Sequence, residues 1–192
     1  MLDMRLAAAR CEDAARAAAY LRHAADEERH ARMLERLANT WAARVGGEAE
    51  RPVAADFEGL YDRLGEERFL AFVHRGEGRA TRQFEAYRAH FEARGEPRTA
   101  AVFARLIKDE RFHEAYTGEL LEELAGSPEA ARAALRRVAW WEAWRRYRRA
   151  GRALAGLLYQ GSMAALYLTL APLMLLIRLV RPVRRGWLPP DA

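Results

Sequence analysis

Cysteine is nearly missing from this chain: among 192 residues, Cys11 stands alone. A single thiol excludes an intrachain disulfide and any cysteine-rich iron or zinc module, and it fits a reducing compartment. Lysine is as scarce, with Lys108 the only one, so almost all the positive charge is arginine. No stretch of useful length alternates apolar and polar residues, which leaves strands without support and makes the chain read as all-α. The N-terminus, MLDMRLAAARCEDAARAAAY, lacks the apolar core of a secretion signal and carries acids early, so the first part of the chain is expected in the cytoplasm.

What is plentiful is charge, unevenly placed. Residues 1–126 hold 24 acids and 20 bases, a net of −4, whereas residues 127–192 hold 3 acids and 12 bases, a net of +9. The basic excess coincides with the longest apolar run, so anionic membrane lipid accounts for it better than nucleic acid does. The length allows one domain of about 125 residues with something appended.

Within the acidic part a fifteen-residue pattern occurs twice. Residues 20–34 read YLRHAADEERHARML and residues 103–117 read FARLIKDERFHEAYT, so Glu27 and His30 recur as Glu110 and His113 at an offset of 83. Residues three apart share a helix face, and each copy therefore aims a carboxylate and an imidazole the same way. The stripe through the first copy is Tyr20, His23, Glu27, His30, Leu34, Leu37 and Trp41; through the second it is Phe103, Leu106, Glu110, His113, Thr117, Leu120 and Leu124. Ionisable groups thus lie in the middle of largely apolar faces. A buried, unpaired carboxylate costs several kcal/mol, and a bound cation is one of the few ways to offset that.

The helical pattern spans residues 13–45 and stops at Gly46-Gly47; a linker, GEAERPVAAD, follows, with Pro52 as a breaker. It resumes from Phe57 to about Arg94, with an interruption expected at Gly65, and again from about Arg98 to Ala125 between Gly95-Glu96-Pro97 and Gly126-Ser127-Pro128. Glu77 sits on the apolar stripe of the middle segment, 33 residues before Glu110, which is room for one helix, a tight turn and a return to the same level. His74, three residues earlier, is expected to point to the same place, while His23 and His90 read as ordinary helix residues.

A glutamate followed about 33 residues later by Glu-x-x-His resembles half of the ferritin-like di-iron carboxylate bundle, in which one helix gives a Glu and the next gives ExxH, twice over. Glu77, Glu110 and His113 stand in the matching positions, and Asp26-Glu27-Glu28-Arg29-His30 is similar to the DExRH form of oxygen-activating members such as soluble acyl-carrier desaturases and bacterial multicomponent monooxygenases. The resemblance covers residues 1–126 and implies a four-helix bundle holding two iron ions, or manganese, through Glu27, His30, Glu77, Glu110 and His113. It further implies that Asp26 and Asp109 orient the histidines. Glu27 and Glu110 would bridge the ions, Glu77 would be terminal, and one histidine would serve each metal. One departure stands out: the same 33-residue step back from Glu27 lands six positions before Met1, so the first helix is largely truncated and its glutamate missing. Either the start lies upstream, or a second copy in a homodimer or another acid such as Glu12 completes the site, or the site has decayed. Three carboxylates and two histidines would hold one metal well and two poorly.

Residues 153–177, ALAGLLYQGSMAALYLTLAPLMLLI, run 25 positions without a charge. At 1.5 Å per residue that is about 37 Å of helix, enough to cross a hydrocarbon core of about 30 Å. Residues 127–152 combine Trp140, Trp141, Trp144 and Tyr147 with arginines, as an interfacial helix would. Eight arginines precede the span against four after it, which favours a single pass through a bacterial-type inner membrane, with the N-terminal domain cytoplasmic and a short basic tail, 181–192, outside. Pro172 leaves a re-entrant hairpin as the alternative topology. The functional expectation is a membrane-anchored di-iron oxidoreductase that activates O2 or peroxide. Without a rubredoxin-type cysteine module, peroxide reduction of the rubrerythrin kind would need a separate electron donor. The competing expectation is a membrane adaptor, metal-free or iron-sensing, built on a degenerate bundle.

Overall fold

Alanine, arginine, glutamate and leucine dominate the long segments, and these are the residues that lose least on entering a helix. In the computed structural model, which describes residues 2–49 and 59–180, they form six helices, and no strand occurs among the described residues. These are α1 (Leu2–Arg10), α2 (Ala14–Arg44), α3 (Leu60–Leu64), α4 (Glu66–Ala93), α5 (Pro97–Ala125) and α6 (Pro128–Val180). Pro52, Phe57 and the tail 181–192 lie outside the described residues.

Each boundary has a local cause. Asp13 caps α2 by accepting the Arg16 N–H at 2.8 Å. Gly65 separates α3 from α4 at φ 75° and ψ 163°, backbone angles closed to a residue with a Cβ, so the interruption read from the sequence is real. Gly95, at φ 71°, turns the chain into α5, whose first residue is Pro97. Ser127 then caps α6 by accepting the Ala130 N–H at 3.2 Å.

One apolar core draws on every helix: Met4 and Ala7 from α1, Tyr20 and Ala24 from α2, Leu60 from α3, Phe69 and Leu70 from α4, Leu121 from α5, and Ala131, Ala134 and Val138 from α6. At the opposite end of α2, α4 and α5 a second apolar zone forms, where Phe91 stacks on Phe103 at 5.7 Å and Trp41 lies 5.4 Å from Phe91. The ionisable stripe lies between the two. Helices α4 and α5 pack most closely, helped by Gly78 and Gly118: a Cβ at Gly78 would fall 2.7 Å from Glu114 Oε1, and one at Gly118 would fall 3.2 Å from His74 Cε1. Helix α2 meets α5 much more loosely, leaving space between them.

The chain divides into two units after Trp141, not after residue 126 as composition suggested. The first turns of α6 carry arginine on one side, but Ala131, Ala134 and Val138 are buried on the other, and Trp141 packs edge-on against Phe72. The segment 127–152 is therefore not a separate interfacial helix: its first half belongs to the core. The second unit, from Glu142 onward, is helical through Val180, including Pro172, so no hairpin occurs there. It contains a window of mean hydropathy 1.6 with none of its residues buried, long and apolar enough to cross a membrane.

A polar tie anchors the start of α2 to α4. The Glu66 carboxylate accepts hydrogen bonds from Arg16 Nε at 2.9 Å, from the Tyr20 hydroxyl at 3.0 Å and from Cys11 Sγ at 3.2 Å. Burial opposes the charge on Glu66, but these three donors outweigh it and hold its pKa below the ordinary 4.5. A carboxyl with a depressed folded-state pKa contributes stability that is full above pH 4.5 and is lost as pH falls through the folded value. Glu66→Gln is expected to destabilise the fold by about 2 kcal/mol near neutral pH, because the charge-assisted bonds weaken and the buried Tyr20 hydroxyl keeps a poorer partner. Urea unfolding followed by circular dichroism should show the gap to wild type closing below pH 4.5; a gap independent of pH would contradict the assignment.

Candidate metal centre

Helical spacing puts His23, Glu27 and His30 on one face of α2, Glu77 inside α4, and Glu110 and His113 on the facing side of α5. All are buried except Glu27, which is about one-third exposed. Their donor atoms form two groups that share Glu27: His23, Glu27, Glu77 and His113 in one, and Glu27, His30 and Glu110 in the other, each group lying within 4.8 Å. In the first, His23 Nε2 is 3.3 Å from Glu77 Oε1 and 3.7 Å from Glu27 Oε1, and His113 Nδ1 is 3.8 Å from Glu77 Oε2. In the second, His30 Nδ1 is 3.0 Å from Glu110 Oε1 and 3.6 Å from Glu27 Oε1.

The outer nitrogens of two histidines are held crosswise. Asp109 on α5 lies 3.2 Å from Nε2 of His30 on α2, and Asp26 on α2 lies 3.1 Å from Nε2 of His113 on α5. Each aspartate precedes its own helix's glutamate by one position, about 100° around the helix, which turns it toward the facing helix. Held at Nε2, both rings direct Nδ1 inward, where both Nδ1 atoms are buried without a hydrogen-bond partner. Buried polar atoms are rarely left so. At His30 the Nδ1 atom stands 3.0 Å from Glu110, an ion-pair distance when the ring is charged.

The residues present fit a metal. Donors bound about 2.1 Å from a common ion lie within about 4.2 Å of one another, so the observed spacing needs only small side-chain rotations. The aspartate, imidazole and inward nitrogen also form the carboxylate–histidine arrangement that orients metal-binding rings. Burial works against charge on His30 and His23, but neighbouring carboxylates outweigh it and raise His30 to about 10 and His23 to about 9. Burial also opposes ionisation of Glu27, yet the two imidazoles pull its pKa well down. Glu110 moves the other way, raised by burial and by Glu77 and Glu27. His113 is lowered by burial and by the adjacent charge of His23, which stacks on it at 4.1 Å.

Two residues of the site were missed by sequence reasoning, and one candidate stands elsewhere. His23 is not an ordinary helix residue: it is 2% exposed and its ring faces Glu77. The signal was its place on the stripe, four residues before Glu27. Tyr116, one turn beyond His113, makes a short hydrogen bond to His23 Nδ1. His74 instead bonds through Nδ1 to the Glu114 carbonyl at 3.0 Å and to Thr117 Oγ1 at 3.2 Å, stapling α4 to the backbone just past His113. No known protein family matches the chain, and no curated protein or solved structure does either.

His74→Ala is accordingly expected to lower unfolding stability by about 1 kcal/mol through the lost interhelix bond. Urea unfolding of the purified variant followed by circular dichroism checks this, and an unchanged midpoint would remove the bond's role as a staple.

Proposed function

We propose that the cluster holds two metal ions, most suitably iron, and that the protein is a membrane-anchored ferritin-like di-iron oxidoreductase acting on O2 or peroxide. The observation that carries the reading is the convergence of three imidazoles and three carboxylates in two groups of donor atoms, with the buried Nδ1 of His113 left without a hydrogen bond. Three imidazoles and three carboxylates suit iron or manganese, and Glu27 is common to both groups, so it would help to hold either ion. Glu110 shares the group of His30 and would be a ligand there. His23 gives the other group a second imidazole, so the two positions are chemically unequal.

When bound, the iron pair would supply electrons to dioxygen or peroxide. The chain's own residues prepare that chemistry. Asp26 and Asp109 fix ring orientation through His113 Nε2 and His30 Nε2. The ligands must be deprotonated to hold a cation, so metal uptake would be coupled to proton loss. The aromatic zone of Trp41, Phe91 and Phe103 on one side and the core of Tyr20, Phe69 and Leu121 on the other limit water near the cluster.

Loading the full-length protein, in detergent and without oxygen, with ferrous iron should give about two ions per chain and, on exposure to air, a di-ferric absorption band. Glu27→Ala and His113→Ala should lose both, with helical content retained. A folded wild type that takes up no iron would defeat the proposal and favour the adaptor.

The apolar part of α6 serves in this reading as the anchor, with the arginines before it on the cytoplasmic side. The protein should stay in the membrane pellet after an alkaline carbonate wash. Release into the supernatant would remove the anchor from the proposal.

A further inference from the structure

Between the first half of α2 and the second half of α5, where the two helices stand apart, lies a cavity of about 530 Å³. Its inner end is formed by the rings of His23, His113 and Tyr116, the same side chains that border the ionisable cluster. Its walls include Ala15, Ala19 and Leu120, and Phe112, 66% exposed, brings it to the surface. The volume lies within the range of small-molecule sites, about 300–1,000 Å³.

The lining charges restrict what can occupy it. Asp13 is engaged as the α2 cap, Arg16 is held by Glu66, and Asp26 is held by His113 and Arg29. The remaining base, Arg22, is outnumbered by Glu119 and Glu123. An anion would therefore meet net negative charge, the charge of His23 being matched by Glu27 and Glu77, and a cation passing the exposed Glu119 and Glu123 would find no free carboxylate at the inner end. At the inner end the Tyr116 hydroxyl uses one hydrogen-bonding direction on His23 Nδ1 and keeps capacity for another partner.

We propose that this cavity binds a small, uncharged, mostly apolar molecule bearing one hydroxyl, of the phenol class, and brings it to the imidazole side of the cluster. The aromatic ring would pack on Phe112 and the alanine walls, with its hydroxyl at Tyr116. The first part stands on the cavity alone; the second rests on the reading that the cluster holds metal.

Fluorine NMR with para-fluorophenol and the full chain in lipid nanodiscs tests both parts. Metal-free wild type should shift the probe's resonance beyond that seen with empty nanodiscs. Ala19→Trp and Leu120→Trp, each approaching from a different helix and each checked for retained helicity, should weaken binding at least about tenfold by filling the space. Tyr116→Phe should weaken para-fluorophenol but not fluorobenzene. Equal shifts in wild type and both tryptophan variants would mean partition into lipid only and would overturn the site. In protein loaded with divalent cobalt, the paramagnetic ion should broaden the resonance well beyond the zinc-loaded control. Cobalt bound without broadening would overturn delivery to the cluster. A wild type that binds no cobalt would defeat the metal reading, and the metal-free comparison would still decide the cavity.

Discussion

Three carboxylates and three imidazoles enclosed between two apolar zones would be intolerable if each kept its charge alone, and the surrounding structure makes sense as the means of holding them together. Glu27, Glu77 and Glu110 converge from three helices, and the imidazoles of His23, His30 and His113 are interleaved among them. Charge on His23 and His30, favoured by the neighbouring carboxylates, offsets part of the charge of the acids. The same geometry would present a divalent cation with mostly buried ligands, so part of the cost of ordering such a site would be met by folding before any ion arrives.

The helix packing that achieves this is uneven. Gly78 and Gly118 let α4 and α5 approach closely, and His74 locks that contact to the α5 backbone beside Thr117. The α2–α5 pair is looser, and what spans it is polar: the two crosswise aspartate–histidine contacts and the Tyr116–His23 bond. Helix α2 is steadied at its start by the Glu66 tie and farther along by Trp41 against Phe91. A side chain that orients a histidine on the opposite helix couples the register of α2 to that of α5, so the site and the fold constrain each other.

The first turns of α6 show how composition can mislead about boundaries. Arginine and tryptophan suggested a segment lying on a membrane surface, yet the helix is amphipathic, with alanine and valine on the face that completes the core. Trp140 is 74% exposed while Trp141, one residue on, packs against Phe72. Alike in a composition count, the two differ by 100° around the helix.

Periodicity within a single helix was enough to read the helices, their stops at glycine, the shared face of each ExxH pair, the buried stripe carrying Glu77 and the apolar run of α6, because those properties depend on neighbours three or four positions away. The sequence could not say that His23 joins the cluster while His74 leaves it, that Asp26 serves His113 rather than a histidine of its own helix, that Glu27 alone is shared by both donor groups, or that a cavity opens beside Tyr116. Each of these depends on the rotation and level of one helix against another. That register is decided by the packing of residues such as Gly78, Gly118 and Phe103 against other helices, contacts that take effect only when the helices come together.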